Sequence, residues 1–503
     1  MPKLPVTGLD ISTLPLPATL PEAHQLIRTL AGFVEDLRLE ALAMKERIAA
    51  LNEQVADLKE QLSQSSGNSS KPPSQDTPEQ RAKRPGKPPT GNTKGAQPGH
   101  AKHERMMVEE SQLDGLKHYY PEGKCSCGGT VVLESEPDQQ HQVFDLPEVR
   151  YTVVEHRTHV GCCTGCGKRH KGRLPDDVPV GQMGPGLIAW IGLMNGGNRL
   201  STRALQALLA EQWGLHFSLG AISEAQGKLA EWLEAPHEHI GEVVKMPAVT
   251  HADETSHFRY SAEHGLERHW LWTLTSGTAV YFMASFSRGK RVAESLLKGY
   301  SGVLVTDRLG SYGCYPQERR QVCLAHIIRN LTAMSQRKGD AGRLGDRLVR
   351  LLQLVFRLEH GWRRGRYSDT RYQLRLDRLQ DAFHQGIELG SGWTSSQKTM
   401  NQCKQLLKDE SMLWTFRRYP NVPLTNNAAE RAVRPYVLWR KTSFFSQSAR
   451  GDRFRERILS VTESCKRLRV PAYDFLRQVC EQGIQNQPVT VRLPFPVETP
   501  ALA

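Results

Sequence analysis

Gly302-Val303-Leu304-Val305-Thr306-Asp307 is the stretch on which the reading of this chain turns. A short, continuous apolar run with β-branched residues reads as a buried strand, and an acid follows it. Working outward, Ala248–Ala252, His269–Leu274 and Ala279–Ala284 have the same strand character, the last two joined by the turn Thr275-Ser276-Gly277. A helix is expected around Arg291–Leu297, then a short strand at Gln321–Cys323 and a helix through His326–Met334. Residues 340–415 carry Leu, Arg and Gln at helical spacing without β-branched runs, which reads as a helical insertion. Helical patterns return at Asn427–Arg434, Gly451–Leu468 and Ala472–Gln482. The expected class is multidomain α+β.

Three carboxylates stand out on this scaffold. Asp253 closes the predicted strand Ala248–Ala252, Asp307 follows Val303–Val305, and Glu430 lies in the first turn of the helix entered through Leu424-Thr425-Asn426-Asn427. Singly, each has a plain reading: a turn residue, an ion-pair partner of Arg308, and a capping-box partner of Asn427. Together they have the layout of a two-metal phosphoryl-transfer site, since Mg²⁺ or Mn²⁺ prefers carboxylate oxygens to Cys or His. Around Glu430, the cations Arg431, Arg434, Arg440, Lys441, Arg450, Arg453 and Arg455 suit backbone phosphates. Trp439, Phe444 and Phe445 lie among them as candidates to stack on bases. A solvated charged face is the plainer alternative.

Five of the ten cysteines fall within Cys125–Cys166. Cys125 and Cys127 form one pair and Cys163 and Cys166 another, each followed by glycine, so two tight turns could deliver four thiolates to one structural Zn²⁺. Cys162 is a substitute for Cys163. Downstream, Ser201–Gln212, the turn Gly214–Ser218 and a helix from Leu219 outline a helix-turn-helix.

The chain has 503 residues, enough for roughly three folded units. Its formal net charge of +13 favours a polyanionic partner. No apolar run approaches a membrane span, and the N-terminus lacks a signal-peptide pattern. Leu26–Leu62 reads as one helix in which Phe33, Leu37, Met44, Ile48, Leu51, Val55, Leu58 and Leu62 step by fours and threes, with Glu40 in the seam. That spacing argues for a self-associating coiled coil, against an amphipathic helix packed on its own domain. The expected organisation is a coiled-coil helix at 22–62, a disordered basic linker at 63–105 and a zinc-finger-like module at 106–182. A helix-turn-helix-like DNA-binding segment at 183–242 follows, then a catalytic domain at 243–468 holding the insertion 340–415, and a C-terminal helix and tail at 469–503.

On these motifs the chain resembles transposases of the insertion-sequence-66 family, in the wider DDE group. The resemblance runs through Asn68–Ser74, Gly95–His100, the paired cysteines, Asp253-Glu254-Thr255, Ser301–Tyr312, Cys323-Leu324-Ala325-His326 with Arg329, and Asn426–Pro435. It implies a ribonuclease-H-like core with Asp253, Asp307 and Glu430 as ligands of two Mg²⁺ or Mn²⁺ ions. His326 and Asn427 would support the active site, although His326 reads equally as a packed helix-capping residue. Implied partners are double-stranded DNA (the element's terminal inverted repeats and target DNA), a second copy or more of the chain, and small companion proteins of the element. A cytoplasmic, nucleoid-associated setting with no membrane goes with this. A non-catalytic zinc-dependent DNA-binding regulator and a structure-selective nuclease on the same fold are the alternatives.

Overall fold

The computed structural model describes residues 16–69, 71, 76–82, 107–134, 139–146, 150–261, 263–392, 394, 396–443 and 446–496. In chain order the elements are α1 (Leu20–Leu62), α2 (Pro78–Ala82), β1 (Val160–Cys162), β2 (Arg169–Lys171), α3 (Pro185–Gly192), α4 (Thr202–Trp213), α5 (Leu219–Trp232) and α6 (Glu234–Val243). There follow β3 (Val249–Ser261), β4 (Gly265–Thr275), β5 (Val280–Ser285), α7 (Lys290–Leu297), β6 (Val303–Thr306), β7 (Arg320–Val322) and α8 (Leu324–Ser335). The chain continues through α9 (Gly339–Arg363), α10 (Asp369–Gly392), α11 (Gln397–Leu413), α12 (Asn427–Ser443), α13 (Ala449–Leu468) and α14 (Ala472–Ile484). Two compact units result: residues 1–84, 305–308 and 316–426 form the first, and 85–304, 309–315 and 427–503 the second. Among the described residues no helix is long and apolar enough to cross a membrane.

In the first unit, the expected insertion is the three helices α9, α10 and α11. They bury Leu348, Leu352 and Val355, then Leu376, Phe383 and Ile387, then Cys403 and Leu406, at helical spacing. β7 follows β6 with the Cys323 N–H donating to the Thr306 carbonyl at 2.9 Å. α1 buries none of its 43 residues. Its C-terminal end is fastened, with Lys398 Nζ 2.9 Å from Asp57 and Arg337 3.1 Å from Glu60.

The stretch 63–105, expected as a tether, starts with ordered polar contacts. Asn68 is buried and donates to Gln336 at 2.8 Å, and buried Asp76 accepts from the Ser66 amide at 2.8 Å and hydroxyl at 2.6 Å. Composition measures apolar area, whereas here hydrogen bonds to buried amide and carboxylate groups supply the order. Ser70, 72–75 and 83–106, with Lys83, Arg84, Lys87 and Lys94, lie outside the described residues.

The second unit carries strands in the order β5-β4-β3-β6. β3 and β4 are antiparallel from His251↔Thr275 to Ser261↔Gly265, and β4 and β5 from Trp270↔Ser285 to Thr275↔Val280. β3 runs nine residues past Ala252, where the sequence reading ended it. Its continuation pairs polar residues, His257↔His269 and Arg259↔Glu267, so no apolar run marks it. The helix-turn-helix outline is followed closely. Ser201 caps α4 by accepting from the Ala204 N–H, Gly214 ends it at φ 65°, and Ser218 caps α5 through the Ala221 N–H.

β5 lies at the sheet edge, and α13 runs along it. The Ala284, Phe282 and Val280 amides donate to Glu456 (2.6 Å), Ser460 (2.9 Å) and Ser464 (3.0 Å), three residues at i, i+4 and i+8 of α13. The edge is therefore covered by side chains rather than by another strand. On a second face, α13 presses Ile458 against Gly196, where a Cβ would lie 2.4 Å from its side chain.

Burial pushes the Glu456 carboxyl up from an ordinary 4.5 to about 7, with the Ala284 N–H opposing the rise. A group raised on folding contributes most stability below its unfolded value and loses it as pH rises through about 7. Glu456→Gln is thus expected to be near-neutral at pH 5 and stabilising by about 2–3 kcal/mol at pH 8. Denaturant midpoints at the two pH values check this, and equal effects at both would contradict it.

Candidate functional site

Asp253 is the fifth residue of β3, opposite Thr273 in the register, so it sits within the strand rather than at its end. It is half-buried, and its Oδ1 accepts from the Glu254 N–H at 2.9 Å. Alternation sends Glu254 to the opposite face, where it is buried. There Arg288 approaches Oε1 (Nε at 3.0 Å, NH2 at 2.5 Å) and the Tyr312 hydroxyl donates to Oε2 at 2.7 Å. Arg288 also stacks over Trp270 at 4.7 Å. Sequence reasoning passed over Glu254, although its position beside an acid in a strand placed it on the other face.

Glu430 is half-buried in the first turn of α12, and α12 packs against β3. Arg440, expected as a phosphate ligand, is the clasp between them. Its NH1 donates to Thr255 Oγ1 at 2.8 Å and to the Ser256 carbonyl, and burial holds its pKa below the ordinary arginine value. Beyond α12, the Ser446 amide donates to the Phe258 carbonyl (3.0 Å) and the Tyr260 amide to the Ser446 carbonyl (2.8 Å). The helix bearing one acid is thereby stitched along the strand bearing another.

The cationic band divides accordingly. Arg431, Arg434, Lys441, Arg450 and Arg453 are exposed, whereas Arg455 is buried against Tyr436 and Ser443. Trp439 is 2% exposed, packed edge-on to Tyr436 and Phe454, so it is a core residue and not a base-stacking one. A tryptophan at core spacing on an amphipathic helix explains that burial. Phe444 and Phe445 lie outside the described residues, and Asn427 is exposed as the first residue of α12.

In the first unit, Asp307 is half-buried directly after β6. Arg308 turns to Asp409 on α11, with Nε at 3.0 Å and NH2 at 2.7 Å from Oδ2. His326 is half-buried in the first turn of α8, its N–H donating to the Cys323 carbonyl at 3.1 Å. The Leu324 N–H donates to the Leu424 carbonyl at 2.9 Å, anchoring the segment that enters α12.

The profile described as Transposase IS66 family matches residues 180–453. The chain belongs to the IS66 transposase family. That match spans Asp253, Asp307 and Glu430 and begins after the cysteine pairs. A profile described as a family of unknown function (DUF6444) matches residues 12–106. Similar proteins include uncharacterized protein y4qI of Sinorhizobium fredii, 24% identical over 60% of this chain and 60% of its own length. Uncharacterized protein y4hP of the same organism is 24% identical over 78% of this chain and 74% of its own length. The chain thus spans about three-fifths of the first relative and three-quarters of the second.

Outside the IS66 match, each cysteine pair is shaped as a knuckle. The Gly128 N–H donates to the Cys125 carbonyl at 2.9 Å and the Gly167 N–H to the Cys163 carbonyl at 2.8 Å, with φ of 88° and 69° at the two glycines. The Cys127 amide and side chain lower the Cys125 thiol, and the Cys166 and Gly165 amides lower that of Cys163. Such donors favour the thiolate that zinc requires. Cys125, Cys127, Cys162 and Cys166 are exposed, and among the described residues no three of these sulfurs gather into one group.

His257, His269 and Asp452 do gather in the second unit, all buried, with ligand atoms within 4.8 Å of one another. Burial alone would raise the Asp452 carboxyl, but the hydrogen bond and charge of His257, with Ser446 and Arg455, hold it below its ordinary value. His257 Nε2 lies 3.2 Å and Arg259 3.5 Å from its oxygens. An arginine on the carboxylate makes this a structural ion network joining β3 and β4 to α13.

Arg440→Ala is expected to cost about 1 kcal/mol of stability by stranding the half-buried Thr255 hydroxyl and Ser256 carbonyl, while leaving the salt dependence of DNA binding unchanged. A phosphate-gripping arginine would do the reverse. Thermal unfolding and a salt titration of binding separate the two.

Proposed function

We propose that this chain is a DNA transposase that cuts and joins strands by phosphoryl transfer, with Asp253, Asp307 and Glu430 as its metal-binding carboxylates. The observation that carries the reading is the family match across all three acids, on a core we read as ribonuclease-H-like. The donor chemistry fits: three half-buried carboxylates offer hard oxygens and room for water, as Mg²⁺ or Mn²⁺ demands. Bound there, two such ions would neutralise phosphate charge and lower the pKa of an attacking water.

The chain's own residues do the positioning. Strand β3 fixes Asp253, and the Arg440 clasp keeps Glu430's helix against that strand. Arg308, tied to Asp409, restrains the backbone beside Asp307. Water would hydrolyse one strand at each element end, and the freed 3′-hydroxyl would attack target DNA without a covalent enzyme intermediate. Exposed Arg431, Arg434 and Lys441 would grip backbone phosphates, and the α4–α5 pair would contact the element ends. Cys125, Cys127, Cys163 and Cys166 would hold one structural Zn²⁺.

Asp253→Asn, Asp307→Asn and Glu430→Gln should each reduce strand cleavage by about 10³-fold or more, roughly 4 kcal/mol, with binding to element ends retained. A wild-type-like rate in any of them rejects that ligand. Arg431→Ala and Arg434→Ala should each lower the salt slope of binding by about one. Elemental analysis should find about one zinc per chain, lost when Cys163 and Cys166 become serine. Unchanged zinc in that variant would reject the ligand set.

A further inference from the structure

The Glu254 carboxylate is almost sealed: its side chain is 1% exposed, on the face of β3 turned away from Asp253. Burying a charge is costly, and an apolar side chain of similar volume holds a core at least as well, so stability alone does not account for an acid here. Its partners account for it. Oε1 receives Arg288 and Oε2 the Tyr312 hydroxyl, so two separate pieces of chain end on one side chain. The first is the loop from β5 to α7, which is held at several points. Arg288 stacks on Trp270, the Trp272 indole donates to the Ser287 carbonyl at 3.1 Å, and Ser311 Oγ donates to the Arg288 carbonyl at 2.5 Å. The second is the short 3-10 helix Gly310–Cys314, which starts three residues after Asp307. Tyr312 is fully buried there, edge-on to Trp272, the residue opposite Glu254 in the β3–β4 register. One carboxylate thus clamps the strand that carries Asp253 and the turn by which the chain leaves Asp307.

We propose that Glu254 is a positioning residue for the metal-binding carboxylates, acting through the strand of Asp253 and the turn after Asp307. It is not itself a ligand, because it points away from Asp253 and an arginine holds its oxygen. The inference rests on the reading of Asp253 as a metal ligand. Pairing with β4 sets the register of β3, but a strand can still roll about its own axis. A side chain anchored on one face removes that freedom and fixes where its neighbour leaves the other face. Mg²⁺ demands near-ideal octahedral geometry, so small errors in a ligand's direction weaken it strongly. Groups that hold ligands in place are commonly worth about 10- to 100-fold in metal affinity or activity.

Mn²⁺ titration of the full chain, read by electron paramagnetic resonance, tests the role alongside strand cleavage at varied Mg²⁺. Glu254→Gln should weaken Mn²⁺ binding by about 10- to 100-fold and raise the half-saturating Mg²⁺ for cleavage to match. The Arg288 side chain is 41% exposed, so that variant leaves no buried unpaired cation and should keep the wild-type near-UV circular dichroism. Tyr312→Phe, which deletes one oxygen, should weaken Mn²⁺ binding by about tenfold. Wild-type Mn²⁺ affinity in folded Glu254→Gln overturns the proposal even where its unfolding midpoint falls, since a purely structural clamp costs stability alone. Where Glu254→Gln does not fold, Tyr312→Phe decides in the same way. Asp253→Asn separates this role from the reading beneath it. Mn²⁺ lost there but kept in the two clamp variants rejects only the positioning role, whereas wild-type Mn²⁺ binding by Asp253→Asn rejects the ligand itself.

Discussion

The edge of β5 is the constraint on which the second unit rests. Its three outward amides need acceptors, and α13 supplies Glu456, Ser460 and Ser464. The match is geometric. Four residues of helix advance about 6.0 Å and two residues of strand about 6.7 Å, so every fourth helix residue meets every second strand residue over a short run. Once α13 lies along β5, its other faces fix what surrounds it. Ile458 packs where Gly196 leaves space, Arg457 reaches the Ala230 carbonyl at 2.7 Å and Glu234 at 2.6 Å, and Asp452 receives His257 from β3. The helices at 183–242 and the strand carrying Asp253 are thereby referred to one element.

A second consequence concerns how charge is used. The sequence around Glu430 is dense in arginine, yet those arginines divide between two tasks. Arg440 and Arg455 turn inward to hydrogen bonds on β3 and α12, while Arg431, Arg434 and Lys441 face solvent. A run of cations on a helix covers all its faces, so only some of them can meet a polyanion. Arg440 keeps an acid-bearing helix against an acid-bearing strand, and Arg455 ties α13 to that helix.

Much of the fold could be read from the residues. The turn Gly214–Ser218 marked the boundary between α4 and α5, and the absence of β-branched runs marked the insertion. What escaped was set by partners distant in sequence. The polar half of β3 forms because β4 pairs with it, Asn68 is ordered by Gln336, and Arg440 is drawn inward by Thr255. Periodicity registers apolar burial and is blind to such bonds. Asp307 directly after β6 and Glu430 in the first turn of α12 stand where local sequence features put them, whereas Asp253 falls inside β3 because pairing with β4 carries that strand onward. Glu254 was missed because its role depends on Arg288 and Tyr312.

The proposed sharing of one pair of hard cations by Asp253, Asp307 and Glu430 is read most directly by cleavage at the metal. Replacing Mg²⁺ with Fe²⁺ and adding ascorbate and peroxide generates hydroxyl radicals at the metal, which cut the polypeptide beside its ligands. Mass spectrometry of the fragments should find breaks next to all three residues together, suppressed by excess Mg²⁺. Breaks beside only one of them, or chiefly beside His257, His269 and Asp452, would contradict it.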